Sequence, residues 1–195
     1  MDLAVSNTVV SVARKRVRHP DESRWASPVS TAVIEFRCLY TYRAPETSVR
    51  LPLSELATSA HHVHGELSIC LGGKSLPCLG YFGVDDACFN TWLQELMAVE
   101  RALSAVQEGT YVFDEGEQGQ PAFEFTREGQ LLFTSVIDSA TSGGEADPSY
   151  QRICCSWADF LAATASFKVA FREALVREAG PYADAWWSMV ARGEA

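Results

Sequence analysis

The sequence predicts an α+β fold: an antiparallel meander sheet packed by two long amphipathic helices and a short C-terminal helix. Three observations lead there. Short segments after residue 30 place apolar residues at every second position and are separated by turn residues. Two longer stretches repeat apolar residues at helical spacing instead. The connections between the later strands are too short for a parallel return, which needs a long crossover. Residues 1–30 read as an N-terminal strand or arm followed by a loop, and residues 31–195 as one α+β domain.

Taken in order, Leu3 to Val12 is β-branched enough for a strand, and His19 to Pro28 carries two prolines and reads as a loop. From Thr31 to Tyr42, Ile34, Phe36, Cys38 and Tyr40 alternate with Glu35, Arg37, Leu39 and Thr41, the mark of a half-buried strand. Val49 to Leu53 is an edge partner, because Pro52 cannot donate to a ladder. Glu66 to Leu71, then Gly72-Gly73 and an apolar run to Tyr81 and Phe82, reads as a hairpin. Asp85 or Asp86 is placed to cap a helix whose stripe is Phe89, Trp92, Leu93, Leu96, Val99, Leu103 and Val106, with Gly109 as its stop. Four strands follow: Tyr111 to Asp114, Ala122 to Arg127, Leu131 to Asp138 and Tyr150 to Trp157. Turns at Gly116 to Pro121 and at Glu128-Gly129-Gln130 join the first three, and the polar stretch Ser139 to Ser149 leads to the fourth. Ser156 with Asp159 resembles a capping box for a helix that buries Phe160, Thr164, Phe167, Phe171 and Leu175. Gly180-Pro181 ends it, and a last helix holds Tyr182, Trp186, Trp187 and Met189.

Composition bounds the function. With 47% hydrophobic and 11% aromatic residues the chain can bury a substantial core. No apolar run approaches the roughly 20 residues that a membrane helix needs. The start, Met1-Asp2-Leu3, carries an acid where a secretory signal would carry positive charge, so a cytoplasmic location is expected. The six cysteines then read as free thiols in a reducing compartment. Net charge is −9, and its distribution is uneven. Residues 1–50 hold eight Lys/Arg against five Asp/Glu, much of the excess in Arg14-Lys15-Arg16-Val17-Arg18; residues 51–195 hold eight against twenty. An acidic body repels phosphate, which argues against nucleic acid and for a basic protein partner.

Few residues suggest chemistry. His61-His62-Val63-His64 is the one place to look for a metal, since His62 and His64 share a face in a strand. No HExxH, no CxxC and no spaced carboxylate triad completes a ligand set, so a polar histidine cluster with no metal and no cofactor is expected. Gly72-Gly73-Lys74-Ser75 lacks the upstream glycine of a phosphate loop, and no nucleophile elbow appears. Cys88 or Cys155 could be drawn beside His64 as a thiol–imidazole pair. The carboxylates Asp114, Glu115, Glu117, Asp138, Glu145 and Asp147 fall in turns at strand ends, where the strand order could gather them on one rim. A solvated acidic surface is the plain reading; a docking surface for a basic partner is the functional one. Trp187 adds an aromatic anchor, because adjacent Trp186 and Trp187 diverge by about 100° on a helix and do not enter one core together.

From Leu67 to Leu175 the order of elements resembles a known group. A strand pair leads to a helix carrying Phe89-Asn90-Thr91-Trp92-Leu93. Then come Gly119-Gln120-Pro121-Ala122-Phe123-Glu124-Phe125, a strand ending Ile137-Asp138-Ser139, and an aromatic helix that starts Ala158-Asp159-Phe160. This is similar to the small bacterial immunity proteins of polymorphic toxin systems, loosely the WapI-type group. The resemblance implies cytoplasmic, non-enzymatic neutralisation of a cognate toxin by direct binding. It carries over no functional residues, since binding surfaces in such a group follow diverse toxins. The alternatives are a metal-dependent hydrolase built on the His61–His64 cluster with turn carboxylates, or a regulatory scaffold module.

Overall fold

A computed structural model describes residues 31–42, 49–56, 62–116 and 119–193. The strand expected over Leu3 to Val12, the basic stretch Arg14 to His19, His61 and Glu117 lie outside the described residues. The class is α+β as the patterning predicts, but the strands divide between two antiparallel sheets rather than forming one meander. The described residues also form two units interleaved along the chain. The first takes in Leu71–Lys74 and Arg101–Phe160; the second takes in Val33–Cys70, Ser75–Glu100 and residues 161–193.

In the first unit four strands pair in sequence order: β6 (Glu108–Phe113), β7 (Ala122–Glu128), β8 (Leu131–Ile137) and β9 (Ile153–Ser156). This is the meander that the period-2 segments predict. Register carries the alternation across the sheet, so that Tyr111, Phe125, Thr134 and Ile153 form one buried rung. Gly109, Arg127, Leu132 and Cys155 form the next rung. Gly109 therefore belongs to β6 and does not end the preceding helix, α1 (Phe89–Ser104). That helix stops earlier, where the guanidinium of Arg127 donates from Nη1 to the Leu103 carbonyl at 2.8 Å. A last-turn carbonyl with no partner inside the helix gains a cationic donor in this way. Val106, expected in the buried stripe, is 41% exposed because the helix has ended.

In the second unit, β1 (Ala32–Tyr42) pairs with the short edge strand β2 (Arg50–Leu51) and with β3 (Val63–Leu71). The expected hairpin forms, but its return strand β4 (Lys74–Ser75) is brief, and residues 76–86 run irregularly with Phe82 and Val84 exposed. The alternation in β1 breaks at Cys38, whose φ of 53° is left-handed and which is exposed rather than buried. Gly65 on β3 accommodates that backbone: a Cβ there would lie 2.7 Å from the Arg37 carbonyl oxygen. Cys78, inside the apolar run expected to form the hairpin's return strand, is instead exposed in a loop at a φ of 55°.

The helix predicted from the Ser156 capping box is α2 (Trp157–Ala179), and the Asp159 N–H donates to Ser156 Oγ at 2.9 Å. Its residues Phe167 and Phe171 pack with Phe36 and Phe89 in an edge-and-stack cluster whose centroids lie 4.8–6.3 Å apart. Rings in this range add attraction beyond the area they bury. The last helix, α3 (Ala183–Arg192), adds Trp186, fully buried with its ring 5.7 Å from Phe171.

Candidate functional site

Of the described acidic residues singled out by their turn positions, Asp114 and Glu115 follow β6, and Asp138, Glu145 and Asp147 follow β8. β6 and β8 run the same way on either side of β7, so Asp114 and Asp138 follow strand ends at the same end of the sheet. Asp114 is the hub of the loop beyond β8. Its carboxylate accepts from Ser139 Oγ at 2.8 Å, the Ala140 N–H at 2.8 Å, Thr141 Oγ1 at 3.1 Å and the Gly116 N–H at 3.2 Å. Burial pushes the Asp114 carboxyl up, but these donors outweigh it and hold it below the usual carboxylate range. Asp138 accepts from the Ala146 N–H at 2.7 Å, and Asp147 from the Ser149 N–H at 2.8 Å. Ser142 donates to the Gln120 carbonyl, and Gly144 passes so close that a Cβ would meet the same oxygen at 2.1 Å. Glu145 is exposed on this loop, and Glu115 is half-buried beside Asp114. Trp187 belongs to the second unit: it is half-buried on α3, with the Arg172 guanidinium 5.6 Å from its ring.

A second constellation, in the second unit, arises from alternation on three strands. β5 (Ala87–Cys88) pairs with β3 so that Cys88 lies opposite His64. Residues two apart share a strand face, which groups Tyr40 with Tyr42, His62 with His64, and Asp86 with Cys88. The rings of His62 and His64 stack at 6.1 Å, and Cys88 Sγ lies 3.6 Å from His62 Nδ1. Ligand atoms of His62, His64 and Cys88 all lie within 4.8 Å of one another. Asp86 stands behind them, 1% exposed. Its Oδ1 accepts from the Tyr40 hydroxyl at 2.6 Å and the Tyr42 hydroxyl at 2.9 Å, and His64 Nδ1 is 3.0 Å away. Its Oδ2 is buried with no hydrogen-bond partner among the described residues. Burial lowers the His64 pKa against the opposing pull of Asp86, which keeps the ring neutral near pH 7. Burial and the bond to Asp86 hold the Tyr40 hydroxyl protonated far above its usual range. Asp85, the other expected helix cap, pairs with Arg50, which holds its carboxyl below the usual range. Neither aspartate caps α1.

No family model, curated protein or solved structure matches the chain. The two constellations therefore stand on their own geometry. His62 and His64 come together on one strand face as their spacing predicts, while the partners that complete their set are Cys88 and Asp86. The sequence alone reads Asp86 as a helix cap, and it sets Cys88 beside His64 only as one of two possible thiol–imidazole pairs, not as a metal ligand. The signal that would have found them is the repeated two-residue spacing, Tyr-x-Tyr, His-x-His and Asp-x-Cys, in three short extended segments.

Proposed function

We propose that this chain is a non-enzymatic binding inhibitor that neutralises a basic protein domain, in the manner of a cytoplasmic immunity protein acting on a cognate toxin. The observation that carries the reading is the acidic loop of residues 138–147, held to Asp114 by three hydrogen bonds and across itself by the Ala146 N–H donating to Asp138. A loop already ordered before the partner arrives loses little conformational entropy on binding. Asp114, Asp138 and Asp147 spend hydrogen-bonding capacity within their own turns, so their contribution to a partner is mainly the field they project. Such a field speeds encounter with an oppositely charged surface by about 10- to 1000-fold and is screened by salt. The cytoplasmic part of the reading is supported by six cysteines that form no disulfide with one another, as a reducing compartment favours, and among the described residues no helix is long and apolar enough to cross a membrane.

The test leaves the loop intact. Asp138→Asn with Glu145→Lys removes one exposed negative charge and reverses another; asparagine keeps the side-chain oxygen that accepts from the Ala146 N–H, and Asp114 is spared. Immobilised wild-type chain should capture a basic protein from the host, and the double variant should associate with it at least tenfold more slowly and with a flatter salt dependence. Capture that the double variant leaves unchanged removes the rim from the interface. A metal-dependent hydrolase is the second reading, favoured by the convergence of His62, His64 and Cys88. Turnover of ester, amide or phosphodiester substrates by the purified chain separates it from the first.

A further inference from the structure

We propose that His62, His64 and Cys88 bind a zinc-like transition-metal ion, with Asp86 as the carboxylate that orients His64. The distances fit such an ion before any side chain moves. Zinc with nitrogen at about 2.1 Å and sulfur at about 2.3 Å in tetrahedral geometry separates the two donors by about 3.6 Å. That is the spacing between His62 Nδ1 and Cys88 Sγ. The widest spread in the trio, 4.8 Å, closes to a tetrahedral edge with a shift of about 1 Å in one side chain.

The surroundings supply what a bare trio lacks. A metal-bound histidine commonly gives its other ring N–H to a carboxylate, which fixes tautomer and ring orientation. His64 Nδ1 faces Asp86 Oδ1 at 3.0 Å, leaving Nε2 as the coordinating atom. Both groups are buried, yet the contact is out of line for a hydrogen bond and Asp86 Oδ2 has no partner among the described residues. A buried carboxylate and an imperfectly paired imidazole are costly unless something compensates them. A divalent cation does so: when it binds, the Cys88 thiol gives its proton to solvent, and thiolate and carboxylate together balance the charge of the ion. Tyr40 and Tyr42 hold the carboxylate in place from the far side.

The alternative use of the same atoms, Cys88 as a nucleophile activated by His62, fits the exposure less well. Cys88 is 1% exposed, which excludes a substrate from its sulfur but not an ion entering past His62, the exposed member of the trio. Three protein ligands leave a fourth position for water or a partner's side chain. Soft thiolate with imidazole selects zinc, cobalt or copper over magnesium and calcium. The site is independent of the acidic rim, and its occupancy is read with no partner present.

The experiment uses the full chain, reduced and stripped of metal, titrated with Co2+. The expected result is one equivalent bound with a thiolate-to-cobalt charge-transfer band in the near ultraviolet, displaced by Zn2+ and unaffected by excess Mg2+. Cys88→Ser abolishes the band, and Cys78→Ser leaves it. Asp86→Asn keeps the band but weakens affinity about 10- to 100-fold. Because Cys88 and Asp86 are buried, His62→Ala guards against misfolding: exposed and foldable, it should weaken cobalt binding at least tenfold with an unchanged circular dichroism spectrum. Absence of the band in the wild type at saturating cobalt overturns the proposal. So does a band that survives Cys88→Ser, or an affinity that His62→Ala does not change.

Discussion

Replacing Arg127 by methionine tests whether a buried guanidinium terminates α1 and secures the first sheet. Arg127 is 5% exposed; it donates to the Leu103 carbonyl at 2.8 Å and to the Gly129 carbonyl at 2.9 Å, reaches Gln107 Oε1 at 3.5 Å, and lies 4.9 Å from the centre of the Trp157 ring. Two short bonds from a charged donor are worth about 1.5–3 kcal/mol each, and the cation over the ring adds about 0.5–2. Methionine keeps most of the apolar stem and removes the cost of burying a charge, which offsets part of that loss. The expected net effect is a destabilisation of about 2–4 kcal/mol, the two carbonyls being left without their donor. Urea denaturation followed by far-ultraviolet circular dichroism should show the midpoint falling with little change in slope. Arg127→Lys should lie between, because one ammonium cannot span two carbonyls in the fork that a guanidinium provides. A methionine variant within about 0.5 kcal/mol of wild type, the range of an ordinary surface change, refutes the reasoning.

Two further outcomes follow from the same kind of argument. Asp114 has a folded pKa below its unfolded one, so its stabilisation is complete above about pH 4 and is lost as pH falls through the folded value. Asp114→Asn should therefore be less stable than wild type between pH 5 and 8, with the gap closing on further acidification; urea midpoints across pH that run parallel to wild type would contradict this. Gly65→Ala would put a Cβ 2.7 Å from the Arg37 carbonyl oxygen, a backbone atom with little room to yield. It should cost about 1–3 kcal/mol by overpacking, read as a lower thermal midpoint, and an unchanged midpoint would show that β1 can move aside.

Much of this fold was legible because local signals and tertiary demands agree. The strand read over Ala122 to Arg127 forms as β7, with Phe123, Phe125 and Arg127 buried at two-residue spacing, and Thr134 and Ile153 complete the Phe125 rung across the sheet. Ser156 caps α2, and Phe160, Thr164, Phe167, Phe171 and Leu175 are all buried at helical spacing. The misreadings occur where a long-range partner overrules a local one. An aspartate before an apolar helical stripe has the form of an N-cap, but pairing of Ala87 and Cys88 with β3 turns Asp86 toward His64 instead. Gly109 resembles a helix stop, but its register opposite Arg127 makes it part of a strand. Cys38 breaks an otherwise regular alternation through a backbone angle that its side chain does not announce. The acidic rim was readable as a set of turn residues. The bonds that Asp114 makes to Ser139, Ala140 and Thr141 were not, because they depend on how the loop after β8 folds toward the end of β6.

The aromatic cluster of the second unit has a consequence for how the chain is made. Phe36 and Phe89 are synthesised well before Phe167, Phe171 and Trp186. A ribosome still translating the α2 codons holds a nascent chain whose early phenylalanines have none of those late rings to pack on. The first sheet draws its strands from one continuous stretch and can close beforehand. Nascent chains stalled before Phe167 should thus recruit holdase chaperones through residues 32–42 and 89–99, and release them once the last helix has cleared the exit tunnel.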